Sequence, residues 1–96
     1  MEELDRQIND LASKINKAIK KMGLDSKKDR LEELKRQMSA ADFWNNPDNA
    51  RTISTQASNL DEEIRTWQGL ATRIADLQIL INDQQAEDLF KELRNN

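Results

Sequence analysis

The side chains of this chain with chemical reach are its carboxylates and its cations, 18 Asp and Glu against 15 Lys and Arg. Histidine and cysteine are absent. Their absence excludes a Ser-His-Asp or Cys-His nucleophile, a disulfide and a Cys/His zinc site. Carboxylates four apart on a helix do not build a di-metal bundle alone, because that site takes a Glu-x-x-His element. A phosphate-cradling glycine loop is excluded too, since the only glycines, Gly23 and Gly69, lie far apart. These residues point away from an enzyme and imply no cofactor and no metal.

The cations are unevenly spread. Residues 14–36 carry nine Lys/Arg against four Asp/Glu, whereas residues 61–96 carry four bases against eight acids, on a chain of net charge −3. A basic segment on an acidic chain can mark a surface that faces RNA or phosphate, although block charge is more often the solvated face of a helix.

The elements that would position these charges are helices. A third of the 96 residues are charged, and there are two glycines, one proline and no tyrosine. That composition belongs to long helices or a coiled coil rather than to a sheet, in a chain with room for one domain of modest core. Leu4, Ile8, Leu11, Ile15, Ala18 and Met22 are spaced 4-3-4-3-4, an a/d heptad that predicts a helix over 3–22 with Ile19 widening its stripe. Gly23 follows as a helix-ending glycine. Asp25 or Ser26 caps a second helix over 26–39, whose apolar positions are Leu31, Leu34 and Met38.

Asn46 then reads as an N-cap with Pro47 at the first helical position, where its missing N–H costs nothing and its fixed φ suits the helix. From there Ile53, Ala57, Leu60, Ile64, Trp67, Ala71 and Ile74 carry a stripe that predicts a long helix over 47–81. Gly69 interrupts it, either bending the helix or letting another helix approach closely. Asn82-Asp83 reads as a turn and cap before a fourth helix over 84–94. Phe43 and Trp44 are too apolar for a free loop. They are expected to tuck between helices, with Trp44 a core plug that fixes the corner rather than a base-stacking platform. The fold expected is all-α: one domain over 1–96, an antiparallel helical bundle or set of helical hairpins with one long central helix. The helix-one stripe also has the form of an oligomer seam.

No apolar run approaches the roughly 18 residues that span a bilayer, and the Met-Glu-Glu-Leu-Asp start lacks the basic and apolar regions of a secretory signal. A cytoplasmic protein without membrane contact is the expectation.

Three segments together carry a family likeness. They are Gly23-Leu24-Asp25, then Lys27-Lys28-Asp29-Arg30-Leu31-Glu32-Glu33-Leu34, then Asp42-Phe43-Trp44-Asn45-Asn46-Pro47-Asp48-Asn49-Ala50. In order and spacing the chain resembles the N-terminal helical domain of bacterial peptide chain release factor 2 proteins, which are class I translation termination factors. The Trp connector is the specific part; the remainder is generic heptad.

The resemblance implies a role at the ribosomal A site. In that family a Ser-Pro-Phe tripeptide reads the stop codon and a Gly-Gly-Gln loop promotes peptidyl-tRNA hydrolysis, while the N-terminal domain lies toward the stalk base. Neither motif occurs here. The chain is therefore expected to be an accessory docking domain, excised from a longer factor or belonging to a truncated or stand-alone relative, with excision favoured. Its partners would be the ribosome, through the stalk base and ribosomal RNA, and the remaining domains of the factor, with no DNA partner. Lys27, Lys28, Arg30, Lys35 and Arg36 are the expected ribosome contacts, and Phe43, Trp44 and Pro47 the structural corner. The rival expectation is a self-associating coiled-coil module, a homodimer of the isolated chain, with no ribosomal role.

Overall fold

The computed structural model describes residues 2–95, and among them every regular element is helical: α1 Glu2–Met22, α2 Leu24–Met38, a 3₁₀ turn Phe43–Asn45 and α3 Pro47–Asn95. The all-α class with one long helix is as expected. The termini of α1 suit its dipole, with Glu2, Glu3 and Asp5 in the first turn and Lys20 and Lys21 in the last.

Gly23 alone separates α1 from α2. It adopts the left-handed conformation, φ 69° and ψ 48°, a region that glycine enters without the Cβ clash other residues meet. Its N–H donates to the Lys20 carbonyl at 3.2 Å and its own carbonyl accepts from Lys27 N–H at 3.0 Å. One residue thus closes one helix and opens the next. The second helix accordingly begins at Leu24, not after an Asp25 or Ser26 cap, and no side chain caps it.

At the start of α3 the expected cap is realised. Asn46 Oδ1 accepts from Asn49 N–H at 3.2 Å, its carbonyl accepts from Ala50 N–H at 2.9 Å, and Pro47 is the first helical residue. Further on, expectation and structure part. α3 continues through Asn82-Asp83 to Asn95, so the separate fourth helix over 84–94 is the final stretch of α3. Asn and Asp cost a helix only about 0.7 kcal/mol each relative to Ala. With neither Gly nor Pro beside them, that is too little to break the ladder. Gly69 does not interrupt α3 either, and no side chain or neighbouring backbone lies within 4 Å of where its Cβ would sit. The expected close approach of another helix at this glycine is absent.

Contacts group the chain into two compact units, Met1–Ala18 with Gly69–Asn96, and Ile19–Gln68. In the unit Ile19–Gln68, Leu24, Leu31 and Leu34 of α2 form a core with Ala57 and Ile64 of α3, and Ile19, Met22, Met38, Ile53, Leu60 and Trp67 pack against it. Lys27 meets Glu63, while Lys35 and Met38 share a groove with Ser54, Ala57 and Ser58. Rising numbers on α2 thus meet falling numbers on α3, and the two run antiparallel. Leu34, fully buried, is the centre of this packing.

In the other unit Ile8, Ala12 and Ile15 of α1 and Ile74 and Ile81 of α3 are buried, and Gln78 Nε2 donates to Asn9 Oδ1 at 2.8 Å. The α1 heptad is only half used: Leu4 and Leu11 remain 47% and 49% exposed. A single neighbouring helix covers one narrow stripe of a helical surface, so the residues flanking Ile8, Ala12 and Ile15 stay open.

Candidate functional site

Two features could serve a partner: the basic residues of the first two helices and the aromatic corner before α3. Within α2 almost every cation has a carboxylate. Lys27 Nζ lies 2.5 Å from Glu63 Oε1 across the hairpin. Lys28 pairs with Asp25 at 3.9 Å, Lys35 with Glu32 at 3.7 Å and Arg36 with Glu33 at 2.9 Å, each three residues back along the helix. Arg36 also donates through Nε to the same Glu33 oxygen at 3.1 Å. That hydrogen bonding first, and the guanidinium charge second, hold the Glu33 carboxyl below its ordinary range.

Of the five expected contact residues, Arg30 alone has no carboxylate within ion-pair distance among the described residues. The structure therefore places Lys27, Lys28, Arg30, Lys35 and Arg36 on one helix without making them a free cationic surface. Their charge is largely answered locally, and Lys27 is half-buried in an interhelical pair.

The unanswered charge lies on α1. Lys14, Lys17, Lys20 and Lys21 are all exposed, and none joins an ion pair among the described residues. Sequence reasoning included them in the basic stretch but chose the α2 residues. The signal that separates the two groups is in the chain itself: no Asp or Glu occurs between Asp10 and Asp25, so Lys17 and Lys20 have no acid three or four positions away with which to pair.

The aromatic corner divides its two rings. Phe43 is 7% exposed and Trp44 61%, with the ring centroids 4.8 Å apart and the planes at 89°. Phe43, not Trp44, is the buried plug. Successive side chains in a 3₁₀ turn point about a third of a turn apart, so one residue of an adjacent pair can face the core while the other faces out. Phe43 N–H donates to the Ala40 carbonyl and Asn45 N–H to that of Asp42, both at 3.1 Å, which holds the turn in this register.

Among the described residues no cluster of three metal-ligating side chains occurs, and no helix is long and apolar enough to cross a membrane.

Comparison with known proteins places the chain in a family. The PCRF domain family profile matches residues 27–96, from α2 through the aromatic corner and along α3. Peptide chain release factor 2 of Corynebacterium glutamicum is 28% identical over 86 residues, covering 90% of this chain and 23% of that protein. The protein of the same name from Shewanella woodyi is 28% identical over 71 residues, 71% of this chain and 20% of its own length. That of Acidothermus cellulolyticus is 36% identical over 56 residues, 58% of this chain and 15% of its own. The chain spans about a fifth of the length of the curated relatives it matches. No solved structure matches it significantly. With more than half its length matched, and with the helical architecture and the Trp connector in place, the chain belongs to the PCRF domain family, the N-terminal helical domain of peptide chain release factors.

Proposed function

We propose that the chain acts in translation termination as the accessory, ribosome-docking N-terminal domain of a cytoplasmic stop-codon-recognising release factor, facing the stalk base of the large subunit. The observation that carries this reading is the family match over residues 27–96, on a chain without Ser-Pro-Phe, Gly-Gly-Gln, histidine or cysteine. Its role is to bind and orient, and the reaction belongs to other domains of the factor. The remaining domains, ribosomal RNA and the stalk-base protein are the partners of this reading. Saturable cosedimentation of the 96-residue chain with ribosomes, competed by a full-length peptide chain release factor 2, is the expected result. No ribosome association at any salt concentration would overturn it.

A second reading has its own observation. Leu4 and Leu11, heptad residues of α1, are half exposed, as they would be on a helix that pairs with a second copy of the chain. Sedimentation equilibrium separates the readings: a concentration-independent monomer removes the coiled-coil homodimer, and a dimer without ribosome affinity favours it.

A further inference from the structure

We infer that the exposed lysines in the second half of α1, Lys14, Lys17, Lys20 and Lys21, form the surface by which this chain engages an RNA phosphodiester backbone. The inference rests on the ribosome-docking reading and names the surface that would serve it.

The starting point is the way charge is distributed in the folded chain. Four of the five cations of α2 lie within 4 Å of carboxylates, whose negative charge offsets theirs at the surface a polyanion would meet. The four lysines of α1 have no such partner among the described residues, and all four are exposed. They are free to exchange condensed counterions for phosphates, which is the main source of affinity for a nucleic-acid backbone.

Helix geometry concentrates them. Lys14, Lys17 and Lys21 stand at i, i+3 and i+7, the spacing that keeps residues on one face. At 1.5 Å rise per residue the three span about 10 Å along the axis. The buried residues of this helix, Ile8, Ala12 and Ile15, occupy the face opposite Lys14, Lys17 and Lys21, and Lys20 stands exposed at the flank between them.

A purely local cause explains only part of the cluster. Lys20 and Lys21 lie in the last turn, where cations favour the negative end of the helix dipole. That effect falls off within one turn, and Lys14 and Lys17 lie beyond it. Asp10, four residues before Lys14, is the nearest acid in sequence, yet it makes no ion pair with Lys14 among the described residues. The lysine side chains are point charges on flexible stems, suited to phosphate rather than to base edges, so the contact follows the backbone without reading sequence.

The test measures equilibrium binding of the 96-residue chain to a fluorescently labelled 20-base-pair RNA duplex of mixed sequence, and separately to ribosomes, between 50 and 200 mM KCl. Each phosphate neutralised contributes about −0.7 to −0.9 to the slope of log K against log salt. The variant Lys14→Gln/Lys17→Gln/Lys20→Gln/Lys21→Gln is expected to reduce that slope by about 3 and to lose at least tenfold in affinity at the lowest salt. The α2 variant Lys28→Gln/Lys35→Gln/Arg36→Gln is expected to leave the slope within about one phosphate equivalent of the parent. Gln keeps most of the helix propensity of Lys; should the quadruple variant lose ellipticity, Lys14→Gln/Lys17→Gln spares the last turn and is expected to lose about half of the slope change.

An unchanged slope in these α1 variants, a loss confined to the α2 variant, or binding to phosphatidylserine vesicles with none to RNA would each overturn the inference. RNA-duplex binding lost with the lysines, in a chain that does not associate with ribosomes, would uphold the surface and overturn the docking reading instead.

Discussion

Lys27 of α2 and Glu63 of α3, 36 residues apart in sequence, meet with Nζ and Oε1 2.5 Å from each other. This is the one ion pair that ties the two helices across their hairpin among the described residues; the others lie within a helix. It lies beside the apolar core of Leu24, Leu31, Leu34, Ala57 and Ile64 and gives α2 a polar register mark as well as an apolar one. The pairing also withdraws Lys27 from the exposed cations, so a residue chosen as a partner contact acts in the fold.

The side chains of this pair are 30% and 37% exposed, so solvent screens part of the attraction. A double-mutant cycle with Lys27→Met and Glu63→Gln, read by urea unfolding, is expected to give a coupling of about 0.5–1 kcal/mol. The coupling should shrink as salt is raised. A coupling indistinguishable from zero at low salt would remove the register role.

At the corner, burial assigns the two rings opposite weights. Phe43→Ala is expected to cost about 3 kcal/mol, the loss of a buried aromatic ring with its cavity. Trp44→Ala should cost at most about 1 kcal/mol, that of an aromatic edge contact. Chemical denaturation of both variants measures the difference. Fluorescence gives a second view: an external quencher should reach Trp44 readily and the half-buried Trp67 poorly. A Trp44 variant that unfolds as readily as the Phe43 variant would restore the tryptophan plug.

The two glycines should respond with opposite signs. Gly69 is in mid-helix with open space around its absent Cβ, so Gly69→Ala is expected to stabilise the chain by up to about 1 kcal/mol. Gly23 holds φ 69°, where an L side chain is strained, so Gly23→Ala should destabilise it by about 1–2 kcal/mol. Thermal unfolding of the pair checks both signs at once, and a loss of stability in Gly69→Ala would show that the helix requires glycine there for a reason other than packing.

Much of this arrangement is legible in the residues. Glycine after a run ending Lys20-Lys21-Met22 marks the first turn, and Asn46 before Pro47 marks the start of α3, because each motif solves a local backbone problem with one chemical answer. The α2 core was readable from Leu31 and Leu34 for the same local reason. Two features were not readable. Which ring of Phe43-Trp44 faces inward depends on the rotation of a single 3₁₀ turn, and composition does not carry that. Leu4 and Leu11 fit the heptad as well as Ile8 and Ile15 do, and only the number of neighbouring helices decides which are covered. The basic stretch over residues 14–36 was visible as a block. Its division into an answered half on α2 and an unanswered half on α1 is legible too, because Lys17 and Lys20 have no acid three or four positions away whereas Lys28, Lys35 and Arg36 each have one three positions back.

Glu33 supplies a proton-linked observable. Its carboxyl is held low by the Arg36 hydrogen bonds and charge. A depressed carboxyl contributes its stability above its unfolded pKa and loses it as the pH falls through the lower folded value. Both partners are exposed, so the effect on global stability is small and the local titration is the better measurement. By NMR, Arg36→Gln is expected to move the Glu33 midpoint upward, and a midpoint unmoved by that change would mean the pair does not persist in solution.

The continuity of α3 through Asn82-Asp83 makes a prediction whose sign depends on the backbone. Were Asp83 the cap of a separate helix over 84–94, its carboxylate would accept an orphan N–H, and Asp83→Ala would cost about 1 kcal/mol. In the continuous helix those N–H groups already bond to carbonyls one turn back, and Asp83 offers them nothing. Ala then replaces a weak helix former with the strongest, and the substitution should gain up to about 0.7 kcal/mol. Urea unfolding gives the sign, and ellipticity at 222 nm should rise or hold. The exposed Leu89, Phe90 and Leu93 follow from the same continuity, since a chain turning at residue 82 could fold their stripe back against α3, whereas a straight ladder leaves it open. A measured loss of stability in Asp83→Ala would therefore argue at once for a turn at this point and for burial of those three side chains.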